Sequence, residues 1–153
     1  MNVSPGAGGS DQVTIETRIL EIATNGNGDM LDITPDVTRL LGSVGMIEGN
    51  VTIFCPGSTA AISTIEFEPG LKKDMPTAME RIAPSNPEEP YLHDETWHDG
   101  NGHSHVRATI MGPSLCVPFF QSRIQTGTWQ QIVVFDWDNR SRRREVILQF
   151  IGK

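Results

Sequence analysis

The chain has 153 residues, 37% of them hydrophobic and 15 of them Gly. That predicts one compact unit with enough apolar material for a core, and it excludes disordered, collagenous and fibrous classes. Lys and Arg number 12 against 19 Asp and Glu, a net charge of −7, which argues against non-specific binding to nucleic acid, where affinity rests on neutralising phosphates. No apolar run approaches the roughly 20 residues of a membrane helix, and MNVSPGAGGSDQ lacks the basic region and apolar stretch of a secretory signal. The expectation is a soluble cytoplasmic protein that binds neither nucleic acid nor membrane.

In chain order, residues 1–10 are rich in Gly, Ser and Pro and predict a loose terminus ahead of a single domain over 11–153. From Gln12 to Ala23, Val13, Ile15, Thr17 and Ile19 alternate with polar residues, a strand pattern. Asn25-Gly26-Asn27-Gly28-Asp29 is turn chemistry. Thr34-Pro35 predicts a capped helix start, Val37, Leu40, Leu41 and Val44 follow at helical spacing, and Gly45 closes the helix. Strands are expected over Asn50 to Cys55 and Thr59 to Glu66, then a helix marked by Leu71, Met75, Met79 and Ile82, with Pro76 near its start or at a kink.

Residues 83–102 hold Pro84, Pro87 and Pro90 and predict a long loop, a feature that in compact domains usually carries function. Val106, Ile110 and Met111 suggest a short helix and Leu115 to Phe119 a strand. Thr128 to Asp138 and Arg143 to Ile151 read as a hairpin, with the first run apolar on both faces and therefore central. Arg140, Arg142, Arg143 and Arg144 then read as its solvated turn. Cys55 and Cys116 both lie in apolar strand-like runs and read as small buried hydrophobes. Strands and helices do not alternate regularly, so the expected class is α+β, with helices packed on a mostly antiparallel sheet.

All four histidines fall within thirteen residues, HDETWHDGNGHSH. His93-Asp94 and His98-Asp99 each set an imidazole beside a carboxylate. In an extended loop His103 and His105 share a face about 7 Å apart and could grip one ion; in a helix they diverge, and His103 aligns with Arg107. Two chemistries fit: a divalent metal site, zinc or magnesium, built from His93, His98, His103 and His105, or a histidine acting as general acid or base beside an Asp. A purely structural polar loop or a subunit contact is the bland alternative. At least two of the rings are expected to converge with Glu66 or an Asp in one cleft.

Two further segments are candidates. In Pro56-Gly57-Ser58-Thr59, glycine permits close approach, and Ser58 and Thr59 could donate to phosphate oxygens, although no Gly-Lys-Ser/Thr end follows. Glu66 and Glu68 would share a strand face. In Gly127-Thr128-Trp129-Gln130, Trp129 and Gln130 could line a pocket for a flat ring, while core packing is the commoner fate of such a Trp.

With PGSTAAISTIEFEPGL, HDETWHDGNGHSHVRATIMGPS, GTWQQIVVFDWD and RRREVILQFIG in this order, the chain resembles the YjbQ-like family of secondary thiamine-phosphate synthases across nearly all of residues 12–152. The resemblance implies a small α+β homotrimer that takes a small phosphorylated substrate. His105 and Arg107 match the family's His-x-Lys/Arg pattern and Glu66 its acidic position, which implies a catalytic set of His105, Glu66 and Arg107. Gly57 stands where many members carry histidine, and Ser122 where many carry glycine. The implied reaction joins a pyrimidine diphosphate to a thiazole phosphate with loss of pyrophosphate, and needs charge stabilisation by a metal or by basic donors. A metal-dependent phosphate-ester hydrolase and a non-enzymatic trimeric ligand-binding protein are the rival expectations.

Overall fold

Alternation of apolar and polar residues builds a long first strand, β1 (Thr14–Thr24), in the computed structural model of the chain, which describes residues 12–153. The terminus expected at 1–10 lies outside the described residues. There follow β2 (Asp29–Asp32), α1 (Thr34–Val44), β3 (Gly49–Phe54), β4 (Ala60–Ile65), α2 (Leu71–Ile82), α3 (Leu92–Trp97), α4 (Gly102–Met111), β5 (Ser114–Phe120), β6 (Arg123–Ile124), β7 (Gln131–Asp136) and β8 (Arg142–Gly152). Every strand pair is antiparallel, and the strands form a five-stranded sheet, β1-β8-β3-β5-β6, and a three-stranded one, β2-β7-β4. The class is α+β, as the sequence predicts.

Three layers result. The main core joins the inner face of the larger sheet (Val51, Ile53, Val117, Phe119, Val146, Leu148, Phe150) to Ile62, Ile132 and Val134 of the smaller sheet and to Val37 and Leu41 of α1. A second core covers the other face of the smaller sheet, where Val133, Phe135 and Trp137 meet Met79 of α2 and Ala108 of α4. β7 is thus buried on both faces, which is why its sequence is apolar without alternation. Each large side chain so buried contributes roughly 1.5–3 kcal/mol.

β7 and β8 do not form the expected hairpin. A strand apolar on both faces needs a layer on each side, and the segment 137–141 carries the chain out of the middle layer into the larger sheet, where β8 pairs with β1 and β3. Of the four arginines, Arg140 and Arg143 are exposed as expected of a solvated connection, but Arg144 shares the inward parity of Val146, Leu148 and Phe150 and is buried. Parity also corrects the cysteines, since Cys55 continues the inward row of Val51 and Ile53, whereas Cys116 points outward opposite Thr52. On that outer face Ile15 lies across from Ile151, and Ile19 from Ile147, which in turn opposes Phe54; Ile15, Ile19, Phe54 and Ile151 are all exposed.

The smaller departures are local. Ile33, not Thr34, stands at the cap of α1, with Pro35 in its first turn, and the Thr34 hydroxyl instead accepts from the Ile132 N–H at 2.8 Å. Gly45 does close α1, in the left-handed region at φ 70°. Pro76 sits inside α2 rather than at its start. Glu66 lies beyond the end of β4, and Glu68 turns to accept from the Gly70 and Leu71 N–H groups at the start of α2. The predicted 83–102 loop contains α3, too short to leave a periodic signal.

Candidate active site

The histidines are distributed over two short helices. His93 is in α3, His98 follows it as a left-handed cap at φ 53°, and His103 and His105 are both in α4. Asp94 fixes the two helices to each other: one carboxylate oxygen accepts from the Asn101 and Gly102 N–H groups, both at 2.9 Å. These are orphan donors of the first turn of α4, so a negative charge is favoured there. The His93 ring is thereby laid against that of His105, centroids 4.3 Å apart.

His93 Nε2 is buried without a hydrogen-bond partner, 3.6 Å from Asp99 Oδ1. One donor atom from each of His93, Asp94 and Asp99 lies within 4.8 Å of the others. An unsatisfied imidazole nitrogen facing carboxylates suits a divalent cation, and the nitrogen donor favours zinc over magnesium. Half-exposed Asp99 leaves that side open to solvent. His93 thus meets Asp94 and Asp99 and its ring lies against that of His105, while the exposed Glu66 is not part of the group.

His98 and His103 stand apart from this group. His98 is exposed on its cap. His103 is buried, with Nε2 3.2 Å from the Ser104 hydroxyl and its ring near Tyr91. Burial, and then the charge of Arg107, hold His103 below the ordinary histidine value of 6.5, so it is neutral at pH 7. The helix thus separates His103 from His105 and aligns His103 with Arg107.

His105 opens onto a small cleft of 150 Å³, lined also by Gly57, Ser58, Ala60 and Thr109. Ser58 is exposed at its edge. Thr59 is buried and committed to the interior: its hydroxyl donates to Asp138 at 2.9 Å and accepts from Arg144 Nη2 at 2.8 Å. Arg107 also faces inward, giving Nε and Nη2 to the Ala83 carbonyl and Nη2 to Glu80, above the Trp137 ring. Trp129 precedes β7 and is 69% exposed; the Trp packed in the core is Trp137. The Gln130 side chain accepts from the Gly127 N–H and donates to the Thr64 hydroxyl, so it shapes its own loop.

The charged network that sequence reasoning missed lies beneath the Pro56–Thr59 turn. Arg144 donates to both oxygens of Asp136, Nε at 2.9 Å and Nη2 at 2.7 Å. Asp136 also accepts from the Thr24 hydroxyl and the Asp138 N–H, and Asp138 accepts from Arg142 Nε at 2.8 Å. Burial works to raise the Asp138 carboxyl, but hydrogen bonds from Arg142 and Thr59, with both arginine charges, leave it below the usual value. Two acids in an otherwise apolar strand, and an arginine at an inward position of β8, were the available signals. A wider, open depression of 620 Å³ is lined by Glu21, Ala23, Pro56, Arg143, Arg144 and Glu145, so Arg144 borders it, and it contains no histidine.

The model of the family described as UPF0047 protein YjbQ-like matches residues 18–153. The chain belongs to that family. A UPF0047 protein of Archaeoglobus fulgidus is 32% identical over 128 residues, covering 84% of this chain and 96% of that one. The UPF0047 protein YugU of Bacillus subtilis is 31% identical over 137 residues, 88% and 98% of the two chains. Among solved structures, a YbjQ-like protein of unknown function from Sulfolobus solfataricus superposes with a TM-score of 0.85 at 27% identity, over 93% of this chain and all of that one. A hypothetical protein of Aeropyrum pernix gives 0.81 at 32% identity, over 90% and 99%. The UPF0047 scaffold therefore accounts for the whole described fold. No helix among the described residues is long and apolar enough to cross a membrane.

Proposed function

We propose that this UPF0047 protein is a transferase of the thiamine-phosphate synthase type, joining a pyrimidine diphosphate to a thiazole phosphate with release of pyrophosphate. The thiazole nitrogen forms the new bond to the pyrimidine methylene carbon as that carbon's bond to the diphosphate oxygen breaks, and the electron pair leaves with pyrophosphate. The observation that carries the reading is the buried, unpartnered His93 Nε2 set beside Asp99 and against His105, next to the cleft at Gly57 and Ser58. His93, Asp94 and Asp99 would hold a divalent ion, which when bound supplies charge neutralisation for a leaving diphosphate.

The remaining roles belong to the chain. His105, at the cleft wall, is placed to hold or deliver a proton to a departing oxygen. The Ser58 hydroxyl is the exposed donor at the rim, and exposed Trp129 offers a stacking face for a heteroaromatic ring. Glu66, Arg107 and Thr59 act at most indirectly, through the loop or core contacts each makes.

The same reading has the protein act as a homotrimer in the cytoplasm. What supports assembly is the outer face of the five-stranded sheet, where Ile15, Ile19, Phe54 and Ile151 are exposed on paired strands.

Incubating untagged protein with both substrates and Mg²⁺ or Zn²⁺ tests the activity. Thiamine phosphate should form, and His93→Ala and His105→Ala should each abolish it while far-ultraviolet dichroism is unchanged. No product from the wild-type protein with either ion defeats the reading.

A further inference from the structure

We infer that Asn25 is a site of spontaneous deamidation in the folded protein, and that its conversion to aspartate or isoaspartate loosens the turn between β1 and β2. This modification goes beyond the transferase reading and does not depend on it.

The chain carries three Asn-Gly pairs, at 25–26, 27–28 and 101–102. In such a pair the glycine backbone nitrogen attacks the asparagine Cγ, and glycine has no side chain to hinder the approach. The new N–Cγ bond closes a succinimide ring and the bond from Cγ to the amide nitrogen breaks. That nitrogen leaves as ammonia, with the proton the glycine nitrogen gives up. Water then opens the ring, at Cγ to give aspartate or at the main-chain carbonyl to give isoaspartate. The attacking nitrogen has to be free, so a glycine N–H held in a hydrogen bond protects its asparagine.

The fold separates the three pairs on this criterion. The Gly28 N–H donates to the Asp136 carbonyl at 2.8 Å. The Gly102 N–H donates to the Asp94 carboxylate at 2.9 Å, and Asn101 is buried, its Oδ1 accepting from the Asn139 N–H. The Gly26 N–H makes no hydrogen bond among the described residues, and Asn25 is exposed to the water that must follow. The Asn25 Nδ2 donates only to Asp29 Oδ2, at 3.1 Å on the surface, a contact that water can replace. Nor can the glycine be exchanged for a larger residue: its φ is +72°, and a Cβ there would collide with the Asp138 and Arg140 carbonyl oxygens.

The product acts on the same turn. Asp29 Oδ2 accepts from both the N–H and the Nδ2 of Asn25, at 2.8 and 3.1 Å. Conversion removes the Nδ2 donor and sets a second carboxylate beside Asp29. The turn also ties β1 to the middle layer, through the Asn27 N–H to the Asp138 carbonyl at 2.6 Å and through Gly28 to Asp136. A slow covalent change at one exposed amide thus reaches the segment that carries Asp136 and Asp138.

The test is incubation of the full chain at mildly alkaline pH, with peptide mapping by fragmentation mass spectrometry to read each asparagine separately. The same protein held in urea is the control, where all three pairs should convert at similar rates. In the folded protein Asn25 should convert while Asn27 and Asn101 lag by about 10- to 100-fold, the cost of first freeing their glycine N–H groups. Asn25→Asp should raise the unfolding equilibrium constant by about twofold to tenfold, and added salt should shrink that difference. An Asn25 that stays intact in the fold while the urea control converts, or an Asn27 or Asn101 that keeps pace with it, overturns the site. An Asn25→Asp variant as stable as the wild type overturns its effect on the turn.

Discussion

Arg144 and Asp136 meet through two parallel hydrogen bonds, 2.9 and 2.7 Å, between strands that belong to different sheets. Because both partners are buried, removing one strands the other charge without water. Asp136→Ala should therefore destabilise the protein by about 3–5 kcal/mol, measured by urea unfolding. A loss under about 1 kcal/mol would mean the pair is not the clamp between the layers.

Acid should weaken the fold in two stages. His103 is held below 6.5, so the unfolded chain takes up its proton first, and stability is lost as pH falls below that value toward the folded one. Asp138 is held below 3.8 by Arg142 and Thr59 against the opposing effect of burial; its contribution is complete above that value and disappears as pH falls through the folded one. Unfolding free energy measured between pH 7 and pH 3 should decline accordingly, and His103→Gln should remove the first stage only.

Asp94 caps α4 from a neighbouring helix. Asp94→Ala should cost about 1 kcal/mol, typical of a lost cap, and should also separate the His93 and His105 rings. Zinc retention by untagged protein, read by mass spectrometry of the metal, should fall at least about tenfold in Asp94→Ala and in His93→Ala. His98→Ala should leave it unchanged, since that residue stands apart from the group.

The two tryptophans should behave oppositely. Trp137→Ala, in the second core, should cost about 3–5 kcal/mol. Trp129→Ala should change stability by no more than about 0.5 kcal/mol, as exposed sites do. If it also lowers affinity for the pyrimidine substrate, the stacking role stands; unchanged affinity dismisses it.

A monomer-making substitution is available on the outer sheet face. Ile19→Lys should convert the proposed trimer to a 16.8 kDa monomer in sedimentation analysis. A wild-type protein already sedimenting as a monomer would refute the assembly.

Period-two alternation made β1, β3, β5 and β8 readable, and the unbroken apolar run identified β7 as a central strand. Pairing was not readable, because one polar connection can close a hairpin or change layers, and only the second covered face of β7 decides between them. The same ambiguity hid Arg144: its charge suggested solvent, while its parity with Val146 and Leu148 placed it inside. The four histidines were recognised as a group, but α3 and α4 are held together by Asp94 across eight residues, a tertiary cap with no local signature. Hence His93 and His105 pair while His98 and His103 do not.

β8 lies between β1 and β3, with Thr14 bonded to a residue 138 positions away. During synthesis the first and third strands must wait for a partner made about a hundred residues later or more, each presenting a bare edge that invites mispairing. Refolding should accordingly be slow, as contacts so distant along the chain demand, and any truncation into residues 142–152 would leave two halves of a sheet with nothing to join them.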